Sequence, residues 1–171
     1  MMTSDTAPLS GGFENNVLDA TACFRVVLDA MARPAKIHSL PVSISPPRGL
    51  NVGTVAVLLT LGDMDTPVWL APECDTAEAR AYLRFHALGS AEYPDRSATV
   101  ILESERLIEG EGPLFSGPGF DAPRRFCVEE QPASLWSHVS ANQALFPRGL
   151  DWILTSDSQL AALPRSTKVE V

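Results

Sequence analysis

Nothing in the 171-residue chain completes a signature of catalysis. It has no Walker A loop, no GxGxxG, no HExxH and no GxSxG, the patterns that mark phosphate cradles, dinucleotide sites, zinc hydrolases and nucleophile elbows. Cysteine is scarce. Cys23, Cys74 and Cys127 lie far apart without CxxC or Cys/His ligand spacing, so neither a disulfide framework nor a metal site is encoded, and a reducing compartment fits. Lysine is scarcer still: Lys36 and Lys168 stand in polar or terminal contexts, whereas a pyridoxal-phosphate enzyme needs a buried lysine for its Schiff base. No cofactor is expected. Positive charge is in deficit, with 13 Lys+Arg against 21 Asp+Glu and a formal net charge of −8, the wrong sign for neutralising phosphates, which disfavours nucleic acid and anionic membranes. No apolar run approaches the roughly 18 residues of a membrane span. The start MMTSDTAPLSGG lacks the basic flank and apolar stretch of a signal peptide, so the expectation is a soluble cytoplasmic protein.

What is present suffices for a core: 45% of residues are hydrophobic and 20% charged. The polar residues 1–12 read as a flexible lead-in, and 13–171 as a single α/β domain. Between Asn15 and Arg33, Val17, Phe24, Val27, Leu28 and Met31 recur at helical spacing, and the pattern stops before Pro34. Ile37, Leu40, Val42 and Ile44 then supply extended segments. Val52 to Leu61 reads as a buried helix closed by Gly62-Asp63, and Pro67 to Ala71 as a strand. A helix is expected after an N-cap at Asp75, with Glu78 completing a capping box, running towards Leu88. Short strands follow at Thr99 to Leu102, Leu114 to Ser116 and Phe126 to Val128. Leu135, Val139, Asn142 and Phe146 mark one face of a helix from Ser134 to Phe146. Asp151 to Thr155 is a strand, followed by a short turn of helix near Gln159 and a last strand around Thr167 to Val171. Alternating helices and strands imply a layered α/β fold.

Few residues suggest chemistry. Gly117-Pro118-Gly119 after Ser116 could offer backbone N–H groups to an anion, but a strand-to-loop turn is preferred. His86 shares the apolar stripe of Ala79, Tyr82 and Leu83, so a satisfied buried imidazole is preferred to an acid/base role. Asp63 and Asp65 flank a turn where carboxylates accept backbone N–H bonds, which is preferred to metal binding. Trp69, Trp136 and Trp152 fall inside apolar elements and are expected in the core. Arg148 follows Pro147 and Arg165 follows Pro164, which places both on loops where ligands bind. If a cleft exists, Asp65, His86, Gly117, Gly119, Arg148, Asp151 and Arg165 are the expected lining, because they sit at element ends.

Six blocks in order carry a resemblance: GGFENNVLDATACFRVVLDAMARP near the start, LLTLGDMDTPVWL at Leu58 to Leu70, LRFH at Leu83 to His86, FSGPGF at Phe115 to Phe120, FPRGLDWILT at Phe146 to Thr155, and LPRSTKVEV at the end. Together they resemble the PhnH family of the carbon-phosphorus lyase system in bacterial phosphonate catabolism, over nearly the whole chain. The resemblance implies a three-layer αβα sandwich with a mixed sheet, similar to the pyridoxal-phosphate transferase fold without its cofactor site, and a homodimer. It also implies work alongside PhnG, PhnI, PhnL and PhnJ in making and cleaving ribose 1-methylphosphonate 5-triphosphate, as a non-catalytic accessory subunit. The competing expectation is a freestanding nucleotide or phosphate binder, with the Gly117 to Gly119 turn on phosphate and Arg84, Arg148 or Arg165 supplying charge. Two departures from the family pattern stand out. Ala35 follows Pro34 where the family usually has glycine, which implies a turn of negative φ. The segment ALGSAEYPDRSA between His86 and Thr99 is short for the family, and an omitted loop is the expected reason, because losing a sheet strand would expose an edge.

Overall fold

Two strands of the chain alternate strictly between two cores, and the architecture follows from them. In β7 (Asp151–Ser156), Ile153 joins one apolar cluster and Leu154 the other. In β8 (Gln159–Leu163), Leu160 and Ala162 face the first cluster while Ala161 and Leu163 face the second. A period of two with both faces apolar is what a sheet covered on both sides requires. The computed structural model describes residues 11–86, 88–90, 99–132 and 134–170. In it, β7 and β8 form an antiparallel hairpin at the centre of a four-stranded sheet. β1 (His38–Ser39) pairs antiparallel with β8, and β4 (Thr99–Glu103) pairs parallel with β7, giving the mixed order β1-β8-β7-β4.

Helices cover the first face. α1 (Asn16–Ala32) begins where the Asn15 side chain accepts the Leu18 N–H, and it ends at Arg33 before Pro34. α2 (Val52–Leu61) is capped in the same way by Asn51, whose side chain accepts the Thr54 N–H at 2.8 Å, and closes at Gly62. Cys23, Val27 and Ala30 of α1 pack with Val55, Ala56 and Val57 of α2 over Ile153, Leu160 and Ala162. α3 (Ala77–Phe85) adds Ala79 and Tyr82 to this cluster. Between α2 and α3 lies β2 (Pro67–Val68), parallel to β3 (Gly89–Ser90).

The second face departs from the expected αβα sandwich. β5 (Leu107–Ser116), β6 (Arg124–Val128) and β9 (Lys168–Glu170) form a separate antiparallel sheet, order β6-β5-β9. Phe115 and Phe126 of this sheet join Leu135, Trp136 and Val139 of α4 (Ser134–Gln143) against Leu154, Ala161 and Leu163. The α/β class and the mixed sheet hold, but among the described residues a second sheet shares the far layer with α4.

Several local expectations are corrected. The buried face of α1 is Cys23, Val27 and Ala30, while Val17, Phe24 and Leu28 point outwards, because the helix is apolar on two sides and the small Cys23 and Ala30 allow close packing. Thr76, not Asp75, caps α3: its hydroxyl accepts the Ala79 N–H, and Asp75 is drawn into an ion pair with Arg80. The helical turn near Gln159 is instead β8, since the turn at Asp157 and Ser158 folds it back onto β7. Ala35 has φ +57, not negative, held by its N–H bond to the Ala162 carbonyl at 3.0 Å. α4 stops at Gln143 and leaves Phe146 exposed, and β2 stops at Val68 and leaves Trp69 exposed, whereas Trp136 is buried as expected. α3 ends at Phe85, short of Leu88. The lead-in over 1–10 and the stretch 91–98, where the shortened segment lies, fall outside the described residues. Gly11 accepts a hydrogen bond from the Tyr82 hydroxyl at 3.1 Å, so the last part of that lead-in packs on α3.

Candidate functional site

The N-terminus of α2 meets the C-terminal ends of β4 and β7, the place where open α/β sheets hold their ligands. A cleft of about 480 Å³ opens there, lined by Asn51, Glu103, Ser104, Glu105, Glu129, Glu130, Gln131 and Asp157. Its walls are tied together. Glu103 Oε1 accepts the Asn51 N–H at 2.8 Å, and the Asn51 amide donates to Thr155 Oγ1 at 3.2 Å. Ser104 Oγ donates to the Glu129 carbonyl at 2.8 Å, and Gln131 Nε2 to the Glu103 carbonyl at 3.2 Å. Five carboxylates face this space, and Arg106 sits beside it, 3.0 Å from Glu129.

This arrangement suits cationic groups and opposes anions. A triphosphate would meet Glu103, Glu105, Glu129, Glu130 and Asp157 at close range, and the nearby guanidinium is already engaged. Among the described residues no cysteine, histidine or lysine lines the cleft, and the Ser104 hydroxyl is committed to backbone, so these residues assemble no activated nucleophile. Among the described residues no group of three or more His, Cys, Asp or Glu is placed to hold a metal ion, and no helix is long and apolar enough to cross a membrane.

The residues expected at a site are dispersed. Asp151 and Arg165 do come together, at the opposite end of β7 from the cleft. Asp151 accepts the Arg165 backbone N–H at 2.9 Å, Nε at 3.1 Å and Nη2 at 2.6 Å. Burial pushes the Asp151 carboxyl up, but the Arg165 hydrogen bonds outweigh it and hold the pKa below the ordinary value. Arg165 Nη1 also reaches the Pro147 carbonyl at 3.4 Å, which brings this clamp near the exposed Arg148. Gly117 and Gly119, at φ +123 and +83, form a turn packed against Ser166 and against Ala32 and Pro34, so it serves as a spacer between β9 and the end of α1. His86 caps α3 with its ring against Gly12, 4.3 Å from the Tyr82 ring centroid and 5.1 Å from that of Phe85. It is half-buried and not the satisfied buried imidazole expected: its Nε2 is enclosed without a partner among the described residues, and burial lowers its pKa. Asp65 lies at an exposed tip, where its N–H donates to Asp63 Oδ1, the carboxylate that holds the turn. Arg84 is exposed on α3.

The cleft residues themselves form no motif in the sequence. The traces they leave are the carboxylate pairs Glu103-Ser104-Glu105 and Glu129-Glu130, each at the end of a strand. Their convergence depends on β4 and β6 ending side by side, which spacing does not reveal.

Comparison with known proteins adds independent information. The model of a family described as bacterial phosphonate metabolism protein (PhnH) matches residues 11–88 and 87–170. A protein of Rhizobium meliloti (strain 1021), alpha-D-ribose 1-methylphosphonate 5-triphosphate synthase subunit PhnH, is 34% identical over 198 aligned positions that cover 99% of both chains. A putative C-P lyase subunit protein, HtxG, of Stutzerimonas stutzeri is 36% identical over 84 positions, covering 49% of this chain and 43% of that one. The two family segments meet at residues 87–88, directly ahead of the short stretch before β4.

Proposed function

This chain belongs to the PhnH family of bacterial phosphonate metabolism proteins, and from that premise we propose that it is an accessory subunit of the carbon-phosphorus lyase system, supporting synthesis of ribose 1-methylphosphonate 5-triphosphate without a reaction centre of its own. The observation that carries this reading is the match to a synthase subunit over 99% of both chains. The geometry agrees with it: the cleft repels a triphosphate, the Gly117 to Gly119 turn is filled by protein, and Arg165 is clamped by Asp151. Lys36 and Lys168 are both exposed, so neither is the desolvated amine that pyridoxal chemistry needs, and the likeness to that transferase fold is one of scaffold. The subunit works in the cytoplasm as one α/β domain from residue 13, as a homodimer, beside PhnG, PhnI, PhnJ and PhnL.

The two-fold contact is assigned to α1. Val17, Leu18, Phe24 and Leu28 are 74%, 66%, 49% and 58% exposed, a larger apolar stripe than a solitary helix leaves in water. In an antiparallel pair, Val17 of one copy meets Leu28 of the other, and Thr21 meets Phe24, so the stripe is complementary to itself. The Thr21 hydroxyl is spent on the Val17 carbonyl at 2.7 Å, which turns its methyl outwards. Copurification tests the reading: tagged protein expressed with PhnG, PhnI, PhnJ and PhnL is expected to retain at least one of them, and retention of none overturns it.

A further inference from the structure

The outer edge of β4 is unpaired among the described residues. Sheet order places this strand last, and the Ser104 N–H donates to the Thr155 carbonyl at 2.9 Å. In a parallel ladder alternate residues address alternate neighbours, so Val100 and Leu102 face β7 while Thr99, Ile101 and Glu103 direct their backbone groups outwards. The Glu103 carbonyl agrees with this polarity by accepting from Gln131, and among the described residues no strand lies beside the N–H and C=O of Ile101. Both faces of β4 are covered, Ile101 by the first core and Leu102 by the second, so the strand presents its edge rather than a face. The family match divides at residues 87–88, ahead of this strand.

We propose that the free edge of β4 accepts an extended segment of a partner protein by strand addition, and that this segment carries lysine or arginine, which enters the cleft where β4 ends. Charge complementarity selects the occupant: Glu103, Glu105, Glu129, Glu130 and Asp157 lie at the end of the edge, and a second copy of this chain, with net charge −8, would bring more of the same sign. The inference rests on the accessory-subunit reading and names the surface through which it acts.

Amide hydrogen exchange of the full chain, alone and mixed in turn with each of the four partner subunits named above, reads the edge directly. Exchange at Ile101 and Glu103 is expected to be fast in the isolated protein and to slow at least tenfold with one partner, with weaker binding at high salt. Glu105→Lys with Glu130→Lys, both exposed, is expected to weaken binding at least tenfold, while Glu105→Asp with Glu130→Asp retains it. A complex that forms while β4 still exchanges freely, or that tolerates the double reversal, overturns the strand-addition proposal and leaves the accessory reading standing. Slow exchange already in the isolated chain also overturns it, because the edge is then filled by this protein. Failure to form any complex overturns both.

Discussion

The hydroxyls of Thr54 and Thr155 lie 3.0 Å apart in the core, joining the first turn of α2 to β7. Thr155 is fully buried, and its Oγ1 also accepts the Asn51 amide at 3.2 Å. Asn51 caps α2 and lines the cleft, so this pair sets the floor on which the acidic wall stands. Thr155→Val keeps the shape but strands a buried hydroxyl and an amide proton, at about 1–3 kcal/mol. Urea unfolding is expected to show a midpoint lowered by that amount with an unchanged slope. Thr54→Val combined with Thr155→Val is expected to cost less than the two single changes added together, because each single change already removes the shared bond.

Acid is expected to weaken the fold in two stages. Burial lowers the pKa of His38 and of His86, so as pH falls below the ordinary histidine value of about 6.5 the unfolded chain takes up protons that the folded imidazoles resist. Stability from this source is complete above that pH and declines below it. Asp151 follows at lower pH: its pKa is below the ordinary value of about 3.9, so its contribution is present above that value and is lost as pH falls through the folded pKa. Unfolding midpoints measured from pH 8 to pH 3 are expected to fall in both ranges. His86→Gln flattens the first decline, and Asp151→Asn the second.

How much of this was legible depends on whether a residue answers to its neighbours in sequence or in space. α2 is legible although its apolar run is too brief to classify by period, because Ala56, Leu58, Leu59 and Leu61 favour a helix and Gly62 closes it. α1 was placed to within a residue, yet its face was not, since Val17, Phe24 and Leu28 compete with Cys23, Val27 and Ala30 and only the sheet decides between them. QLAAL holds helix formers, and the hairpin with β7 overrides that preference by placing both alanines in the two cores. Asp151 and Arg165 stand at element ends in the sequence, and they do meet, but as a clamp at the far end of β7 from the cleft. The cleft draws on residues 51 to 157, so no local window contains it.

If α1 forms the two-fold contact, one charge in the stripe should divide the dimer. Phe24 and Leu28 are exposed, so glutamate at either position leaves the core intact. Sedimentation equilibrium is expected to give twice the monomer mass for the natural chain and the monomer mass for Phe24→Glu with Leu28→Glu, at equal helix content by circular dichroism. Two buried carboxylates per protomer at a symmetric contact cannot be paired, which raises dissociation by orders of magnitude. A dimer that survives both changes moves the contact to another face.

Gly110 and Gly119 separate two costs that are usually confounded. Their φ angles are +84 and +83, so replacing either with alanine imposes the same backbone penalty, about 1 kcal/mol. Their surroundings differ. A Cβ on Gly110 meets nothing within 4 Å, whereas one on Gly119 lies 2.6 Å from the Ala32 carbonyl oxygen and 2.8 Å from Pro34 Cδ. The carbonyl belongs to the last residue of α1, which Arg33 closes through its N–H bond to the Asp29 carbonyl at 2.9 Å, and Pro34 Cδ is part of a closed ring just after that cap, so the collision cannot be relieved by a side-chain rotation. Gly110→Ala is expected to lower stability by about 1 kcal/mol, and Gly119→Ala by about 2–4 kcal/mol, the added cost being that of overpacking. Thermal unfolding of the two variants side by side checks the difference. Equal losses would mean that the FSGPGF turn is not seated against α1, and that its backbone is open to a ligand after all.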